Sequence, residues 1–204
     1  MNSSPRVFIV DDEEQVRSAL TLLMESVGLQ AVSFASAQEY LDQFEPTQSG
    51  CLILDVRMPG ISGLDLQARL SAEINHPPII VITGHGDVPM AVRAVTAGAI
   101  DFIEKPFNNQ SMLDNVHRAI ALDAQQRGEL SRLNDVVKCY NELTPREKEV
   151  LQYVIEGKRN KVIAIDMHIS QSTVEAHRAK VMDKMQASTL SELMCMALLL
   201  KLIV

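Results

Sequence analysis

The chain has 204 residues, 47% of them hydrophobic, and a formal net charge of −7. This length suggests one or two domains, and the apolar content suffices for packed cores, which excludes a disordered chain. Three widely spaced cysteines, Cys51, Cys139 and Cys195, form neither a disulfide framework nor a metal-ligand spacing, so a reducing cytoplasm is the expected setting. Met1 to Pro5 is polar and Val7 to Val10 is short, so no signal peptide is expected. The apolar tail Leu193 to Val204 contains Lys201 and is too short to span a bilayer as a helix, so no membrane partner is expected. Residues 1–140 carry 10 Lys and Arg against 18 Asp and Glu, whereas residues 141–204 carry 9 against 8. That contrast suggests two domains with different partners.

In chain order, Arg6 to Val10 reads as a first strand, followed by Asp11-Asp12-Glu13-Glu14 and a helical pattern ending at Gly28. Ala31 to Phe34 is a second strand, and Ser36 with Glu39 predicts a capping box for a helix to about Phe44. Cys51 to Leu54 is continuously apolar, as in a strand buried on both faces, and stops at Asp55. Met58-Pro59-Gly60 predicts a turn, Gly63 a close backbone approach, and a helix runs on to about Ala72. Ile79 to Ile82 is the fourth strand, ending at Thr83. Asp87 then caps a helix that continues to Gly98. Ile100 to Ile103 is the fifth strand, ending in Glu104-Lys105-Pro106, and a last helix starts near Asn108. This alternation predicts a doubly wound, five-stranded parallel sheet with helices on both faces. Residues 123–140 read as a helical linker, bent near Gly128, or as a flexible tether; residues 141–204 hold only helical patterns.

In a parallel sheet the ends of these strands share one edge. Asp11, Asp12, Asp55, Thr83 and Lys105 would therefore meet in one crevice. Clustered carboxylates need a cation, and an all-oxygen set favours Mg²⁺. An exposed Asp beside Mg²⁺ and a lysine is equipped to accept a phosphoryl group. Pro106 is a candidate cis proline that would aim the strand end. Singly, each residue has an ordinary reading: Asp55 as a turn residue, Asp12 as a helix cap, Thr83 as a β-branched strand residue, Lys105 as solvated surface. Their coincidence at strand ends favours the chemical reading.

These residues, together with Phe102 and the Lys105-Pro106 pair, resemble the receiver domain of two-component response regulators across residues 5–122. Thr83-Gly84-His85-Gly86-Asp87-Val88-Pro89-Met90 resembles the FixJ-like branch, although Gly84 departs from the alanine common in the wider family. The resemblance implies a flavodoxin-like fold and phosphorylation of Asp55 by a sensor histidine kinase. It implies Mg²⁺ held by Asp12, Asp55 and the Arg57 carbonyl, with Asp11 acting through water. Lys105 would pair with the phosphoryl group, and Thr83 and Phe102 would be the switch pair.

In the second part, Thr144-Pro145-Arg146-Glu147 is a capping box with proline at the first helical position. A short helix, about Asn160 to Met167, then a turn, then Gln171 to about Met185 fit a helix-turn-helix. Val174, Val181 and Met185 would face the core and Glu175, Ala176, Arg178 and Ala179 would face outward. Thr189 with Glu192 caps a final helix bearing Leu190, Leu193, Met194, Ala197 and Leu198. The pattern alone also allows a helical protein-interaction module. Leu143 to Glu147, Asn160-Lys161 with Ile163-Ala164, and Ser172 to Arg178 resemble the LuxR-type DNA-binding domain over about residues 141–202. That resemblance implies phosphate contacts by Lys161, Ser172, Thr173, His177, Arg178 and Lys180, with Glu175, Ala176 and Ala179 facing base edges. Glu175 either reads a cytosine amino group or pairs with Arg178 or Arg159.

The expected organisation is a receiver (1–122), a helical linker (123–140) and an all-α DNA-binding domain (141–204). The expected function is a cytoplasmic transcription factor that dimerises on phosphorylation and binds promoter DNA, with RNA polymerase as a further implied partner. Its only chemistry would be self-phosphorylation and self-dephosphorylation. Two rivals are a phosphorelay or protein-interaction module that never touches DNA and a phosphatase or phosphotransferase with an Asp nucleophile. The haloacid-dehalogenase type of the latter wants a second acid where Arg57 stands.

Overall fold

The computed structural model describes residues 4–73 and 75–202. Met1 to Ser3 and the last two residues of the apolar tail, Ile203 and Val204, lie outside the described residues. Among those described, β1 (Arg6–Val10), β2 (Gln30–Phe34), β3 (Gly50–Asp55), β4 (Ile79–Thr83) and β5 (Asp101–Glu104) form one sheet in the order β2-β1-β3-β4-β5. All neighbours are parallel. The helices that follow each strand are α1 (Glu14–Ser26), α2 (Ala37–Gln43), α3 (Gly63–Leu70), α4 (Val88–Thr96) and α5 (Asn109–Asn141).

The apolar runs explain the layering. Alternate residues of β1, β3 and β4 point to opposite faces. Val7, Ile9, Cys51, Ile53, Ile80 and Ile82 pack with Leu20 and Met24 of α1 and Met112 and Val116 of α5. Phe8, Val10, Leu52, Leu54, Ile79 and Val81 pack on the other face with Tyr40, Leu66 and Leu70. β3 and β4 are buried throughout. The strand order reverses between β1 and β3, so the crevice for chemistry lies at their carboxyl ends.

The expected close approach at Gly63 is present. Its N–H donates to the Val56 carbonyl at 3.0 Å, and a Cβ built there would lie 2.0 Å from the Asp55 carbonyl oxygen. Asp87 accepts the Met90 N–H as predicted, at 2.8 Å. The box at α2 differs by one residue. Ser36 Oγ accepts the Glu39 N–H, but the Glu39 carboxylate reaches the Ala35 N–H instead of that of Ser36. The Lys105-Pro106 bond is cis.

The fifth helix and the segment 123–140 are one helix, unbroken through Gly128. The chain divides into two compact units, Met1–Arg127 and Gly128–Val204. Within the first, Asp123 is 2% exposed and accepts the Ser49 hydroxyl at 2.8 Å, the Gly50 N–H at 2.9 Å and Arg127 Nε at 2.8 Å. Arg127 also donates to the Pro46 carbonyl at 3.0 Å and to that of Gln48.

In the second unit, α6 (Pro145–Ile155), α7 (Asn160–Asp166), α8 (Gln171–Lys184) and α9 (Leu190–Leu199) enclose a core that includes Val150, Leu151, Ile163, Val174, Val181, Met185, Leu193 and Ala197. Val136 of α5 joins it. The five apolar residues expected on the last helix all lie on α9, where Leu193 and Ala197 are buried and Leu190 and Leu198 exposed. The capping box at α6 is complete, with Thr144 and Glu147 bonded reciprocally. Lys184 Nζ adds a bond to Glu147 Oε2 at 2.7 Å and one to the Glu142 carbonyl at 3.1 Å. The Lys184 ammonium and the Thr144 N–H hold the Glu147 carboxyl down to about 2 from its ordinary 4.5.

Gly63→Ala should destabilise the first unit by at least about 3 kcal/mol in denaturant titrations, because the new methyl meets backbone. Gly84→Ala, where a Cβ meets nothing within 4 Å, should be neutral or stabilising by up to ~1 kcal/mol. In the second unit, protonation of Glu147 favours the unfolded chain. Its contribution, on the order of 2 kcal/mol, is complete above the ordinary carboxylate range and is lost as pH falls from about 4.5 toward 2. Calorimetry on Glu147→Gln across that window should show a flatter pH dependence than wild type.

Candidate phosphoacceptor and nucleic-acid sites

The strand register brings the sequence-predicted residues of the first unit to one edge. Val10 pairs with Leu54, Asp55 with Ile82, and Thr83 with Glu104, so Asp11, Asp55, Thr83 and Lys105 end four adjacent strands. Lys105 Nζ lies 2.7 Å from Asp11 Oδ2 and 2.8 Å from Asp55 Oδ1, with Glu13 Oε1 at 3.3 Å. Asp11 is fully buried and Asp55 is 4% exposed. Burial pushes the Asp11 carboxyl above its ordinary value, against the pull of Lys105 and of the Glu13 N–H, which donates to its Oδ1 at 2.9 Å. For Lys105, burial works against the charge, and the hydrogen bonds to Asp11 and Asp55 more than reverse this, so its pKa is raised.

Asp55 Oδ2 accepts the Arg57 N–H at 2.7 Å. Thr83 is fully buried, and its hydroxyl accepts the His85 N–H at 3.3 Å. Phe102 is half-buried, packed against the core face that carries Leu54 and Val81. Asp12 is exposed. Among the described residues, no cluster of three or more His, Cys, Asp or Glu side chains stands ready to hold a metal ion; Lys105 bridges Asp11 and Asp55 instead. The donor set nevertheless fits Mg²⁺: it is all oxygen, and it contains a carboxylate whose charge is opposed by burial and which a cation would relieve.

In the second unit, α8 shows the outward face expected of it. Ser172, Thr173, Glu175, Ala176, Ala179 and Lys180 are exposed, as is Lys161 on α7, whereas His177 and Arg178 are half-buried. The Ser172 and Thr173 hydroxyls gather on Ser170 Oγ, at 2.8 and 2.7 Å, at the amino end of α8. Arg178 Nη1 donates to Asn160 Oδ1 at 2.9 Å. Glu175 Oε1 accepts from Gln171 Nε2 at 3.1 Å and from Asn160 Nδ2 at 3.5 Å. Among the described residues, neither direct pairing considered for Glu175, with Arg178 or with Arg159, is present, because Asn160 stands between Glu175 and Arg178. His177 Nδ1 is buried without a hydrogen-bond partner.

Residues 7–117 match the family model of the response regulator receiver domain, and residues 141–197 match that of bacterial regulatory proteins of the luxR family. The transcriptional regulatory protein FixJ of Azorhizobium caulinodans is 45% identical over 98% of this chain and 94% of its own length. The chain is a response regulator of the FixJ type. The response regulator protein TodT of Pseudomonas putida is 43% identical over 92% of this chain and 82% of that one. The solved structure of the response regulator StyR superposes with a TM-score of 0.88 at 41% identity, covering 96% of this chain and 98% of that one.

The response regulator thus joins a receiver fold to a LuxR-type DNA-binding domain, and it is a DNA-binding transcriptional regulator. Receiver domains in general use Mg²⁺ and receive phosphoryl groups from histidine kinases. No helix among the described residues is long and apolar enough to cross a membrane.

Three side chains of these sites escaped the sequence reading. Glu13 reaches Lys105, Asn160 links Glu175 to Arg178, and Arg17 donates from Nη1 to the carbonyls of Asp11 and Asp12, at 2.8 and 2.9 Å. The available signal for Arg17 was its place one turn into α1, which points it back over the preceding loop.

Proposed function

We propose that Asp55 is the phosphoacceptor and that its phosphorylation by a sensor histidine kinase controls promoter binding. The observation that carries this reading is the Lys105 ammonium bonded to both Asp11 and Asp55 at the carboxyl edge of the sheet. Asp55 Oδ attacks the phosphorus of the kinase's phosphohistidine. The new O–P bond forms as the N–P bond breaks, and the imidazole leaves with the electron pair. Lys105 then turns from its carboxylate partners to the incoming phosphoryl oxygens, and the Arg57 N–H keeps Asp55 oriented. Asp12, Asp55 and the Arg57 carbonyl would hold Mg²⁺, with Asp11 acting through water. The ion would supply charge neutralisation for the transferring group. The only chemistry expected of the chain is its own phosphorylation and dephosphorylation. A cleft of about 490 Å³ lined by Glu13, Val16, Ala19, Lys105 and Phe107 gives a partner protein an apolar approach beside the site.

The phosphoryl group adds about 1.5 to 2 negative charges. Thr83 releases the His85 N–H to bond it, and Phe102 turns inward behind. Homodimerisation would use the face of α4 and β5. In support, Val88, Val92 and Val95 of α4 are exposed. By pattern the borders are a receiver over 1–122, a linker over 123–140 and a DNA-binding domain over 141–204, with Asp123 to Arg127 of the linker packed on the receiver's sheet. The setting is cytoplasmic, and RNA polymerase is the partner at the promoter.

On DNA, α8 would enter the major groove. Lys161, Ser172, Thr173, His177, Arg178 and Lys180 would contact phosphates, and Glu175, Ala176 and Ala179 would face base edges. In support, Lys161 lines a cleft of about 500 Å³ with Ser170 and Gln171 at the amino end of α8, where the helix dipole also favours an anion.

Asp55→Asn should abolish labelling by phosphorylated kinase or acetyl phosphate, and chelating Mg²⁺ should do the same to wild type; equal labelling of the variant would move the acceptor elsewhere. In gel shifts, Lys161→Ala and Lys180→Ala should weaken binding to all sequences and each reduce the salt slope by about 1. Glu175→Ala should change which sequence is preferred. An unchanged preference, with Arg178 losing order, would make Glu175 a structural partner of Asn160.

A further inference from the structure

Asp12 differs from its neighbours in how it is held. Asp11 is fastened through its N–H to the Phe34 carbonyl at 3.2 Å, and through its carboxylate to the Glu13 N–H and Lys105. Asp55 is fastened through Arg57 and Lys105. The Asp12 side chain is exposed and has no hydrogen bond or ion pair among the described residues. Its direction therefore depends on its backbone. That backbone is set by the two peptide planes flanking its Cα, whose carbonyls belong to Asp11 and Asp12. Both carbonyls accept from the same atom, Arg17 Nη1, at 2.8 and 2.9 Å. The Asp12–Glu13 plane has a second tie, the Glu13 N–H on Asp11 Oδ1 at 2.9 Å, whereas the Asp11 carbonyl of the other plane accepts from Arg17, and the N-cap residue Glu13 adds no side-chain capping bond. Arg17 is half-buried and one turn along the helix, itself anchored by its N–H to the Glu13 carbonyl at 3.1 Å.

We infer that Arg17 is a positioning residue for the divalent cation. By tying the Asp11 carbonyl to that of Asp12, it fixes the Asp11–Asp12 plane against the plane that the Glu13 N–H already holds, and so keeps the Asp12 carboxylate toward the crevice before any ion arrives. This rests on the reading of Asp12 as a Mg²⁺ ligand. It also has an unusual sign. Arg17 is a cation, so on charge alone its removal should tighten binding of another cation; positioning predicts the reverse. Because Mg²⁺ demands near-ideal octahedral geometry and Ca²⁺ tolerates irregular cages, a loosened Asp12 should harm Mg²⁺ more than Ca²⁺.

The test is calorimetric titration of full-length, unphosphorylated protein with Mg²⁺ and separately with Ca²⁺, comparing wild type with Arg17→Met, with thermal melting in the absence of metal as a folding check. The expected result is about tenfold weaker Mg²⁺ binding, with Ca²⁺ affinity changed by less than about threefold. Unchanged or tighter binding of Mg²⁺ would overturn the inference and leave Asp12 as a ligand. Equal weakening of both ions would also overturn it, as a general loosening of the site. Wild type that binds no Mg²⁺ would bring down the ligand reading and the inference with it. If Arg17→Met melts early, Arg17→Gln, which keeps an amide donor but not the reach, carries the same comparison.

Discussion

The receiver is built around one ammonium group shared by two buried carboxylates. Asp11 and Asp55 end adjacent strands at the point where the strand order reverses, and neither has the water that would ordinarily support its charge. Two such groups side by side are tolerable only with a cation between them, and Lys105 is that cation. The rest of the unit serves this arrangement. β3 and β4, buried throughout, deliver Asp55 and Thr83 without slack. Gly63 lets the following helix start directly over the strand end. A site so balanced has a ready route to change: any new anion on Asp55 competes for the same lysine, and the hydroxyl of Thr83 accepts a loop N–H at 3.3 Å.

Much of this was readable without coordinates, for a physical reason. Buried parallel strands are apolar runs that stop where chemistry begins, so Asp11, Asp55, Thr83 and Lys105 marked their own strand ends. Core positions of the second unit were equally legible, because Val174, Val181 and Met185 recur at helical spacing and all three are buried. Leu190 and Leu198 were less so. Apolar residues crowd most of α9, so spacing alone does not say which way each faces; Leu193 and Ala197 are buried, and Leu190 and Leu198 are exposed.

Long polar side chains were the least legible. Arg17 reads as one more charge on α1, and only the backbone path of the loop before it shows two carbonyls within reach of one nitrogen. The part played by Asn160 depends on how α7 and α8 cross, which no periodicity encodes. Its amide takes Arg178 on its oxygen and offers its nitrogen to Glu175, so two residues expected either to meet DNA or to meet each other share a third. The shift at α2, where the Glu39 carboxylate passes Ser36 and takes Ala35, is the same lesson over a shorter distance.

The polar cluster around Asp123 bears on where this chain can be divided. By pattern, residues 123–127 belong to the connector; by contact, they belong to the sheet. Asp123 supplies the acceptor for the Gly50 N–H and the Ser49 hydroxyl, at the opposite end of the strand that carries Asp55, and Arg127 gathers the carbonyls of Pro46 and Gln48. A receiver excised at residue 122 would leave the Gly50 N–H and the Ser49 hydroxyl to find other acceptors, each at a cost of roughly 1–3 kcal/mol where water does not reach. Chimeras that exchange connectors between such regulators therefore need to carry the Asp123–Arg127 pair with the sheet it serves, and splice beyond it.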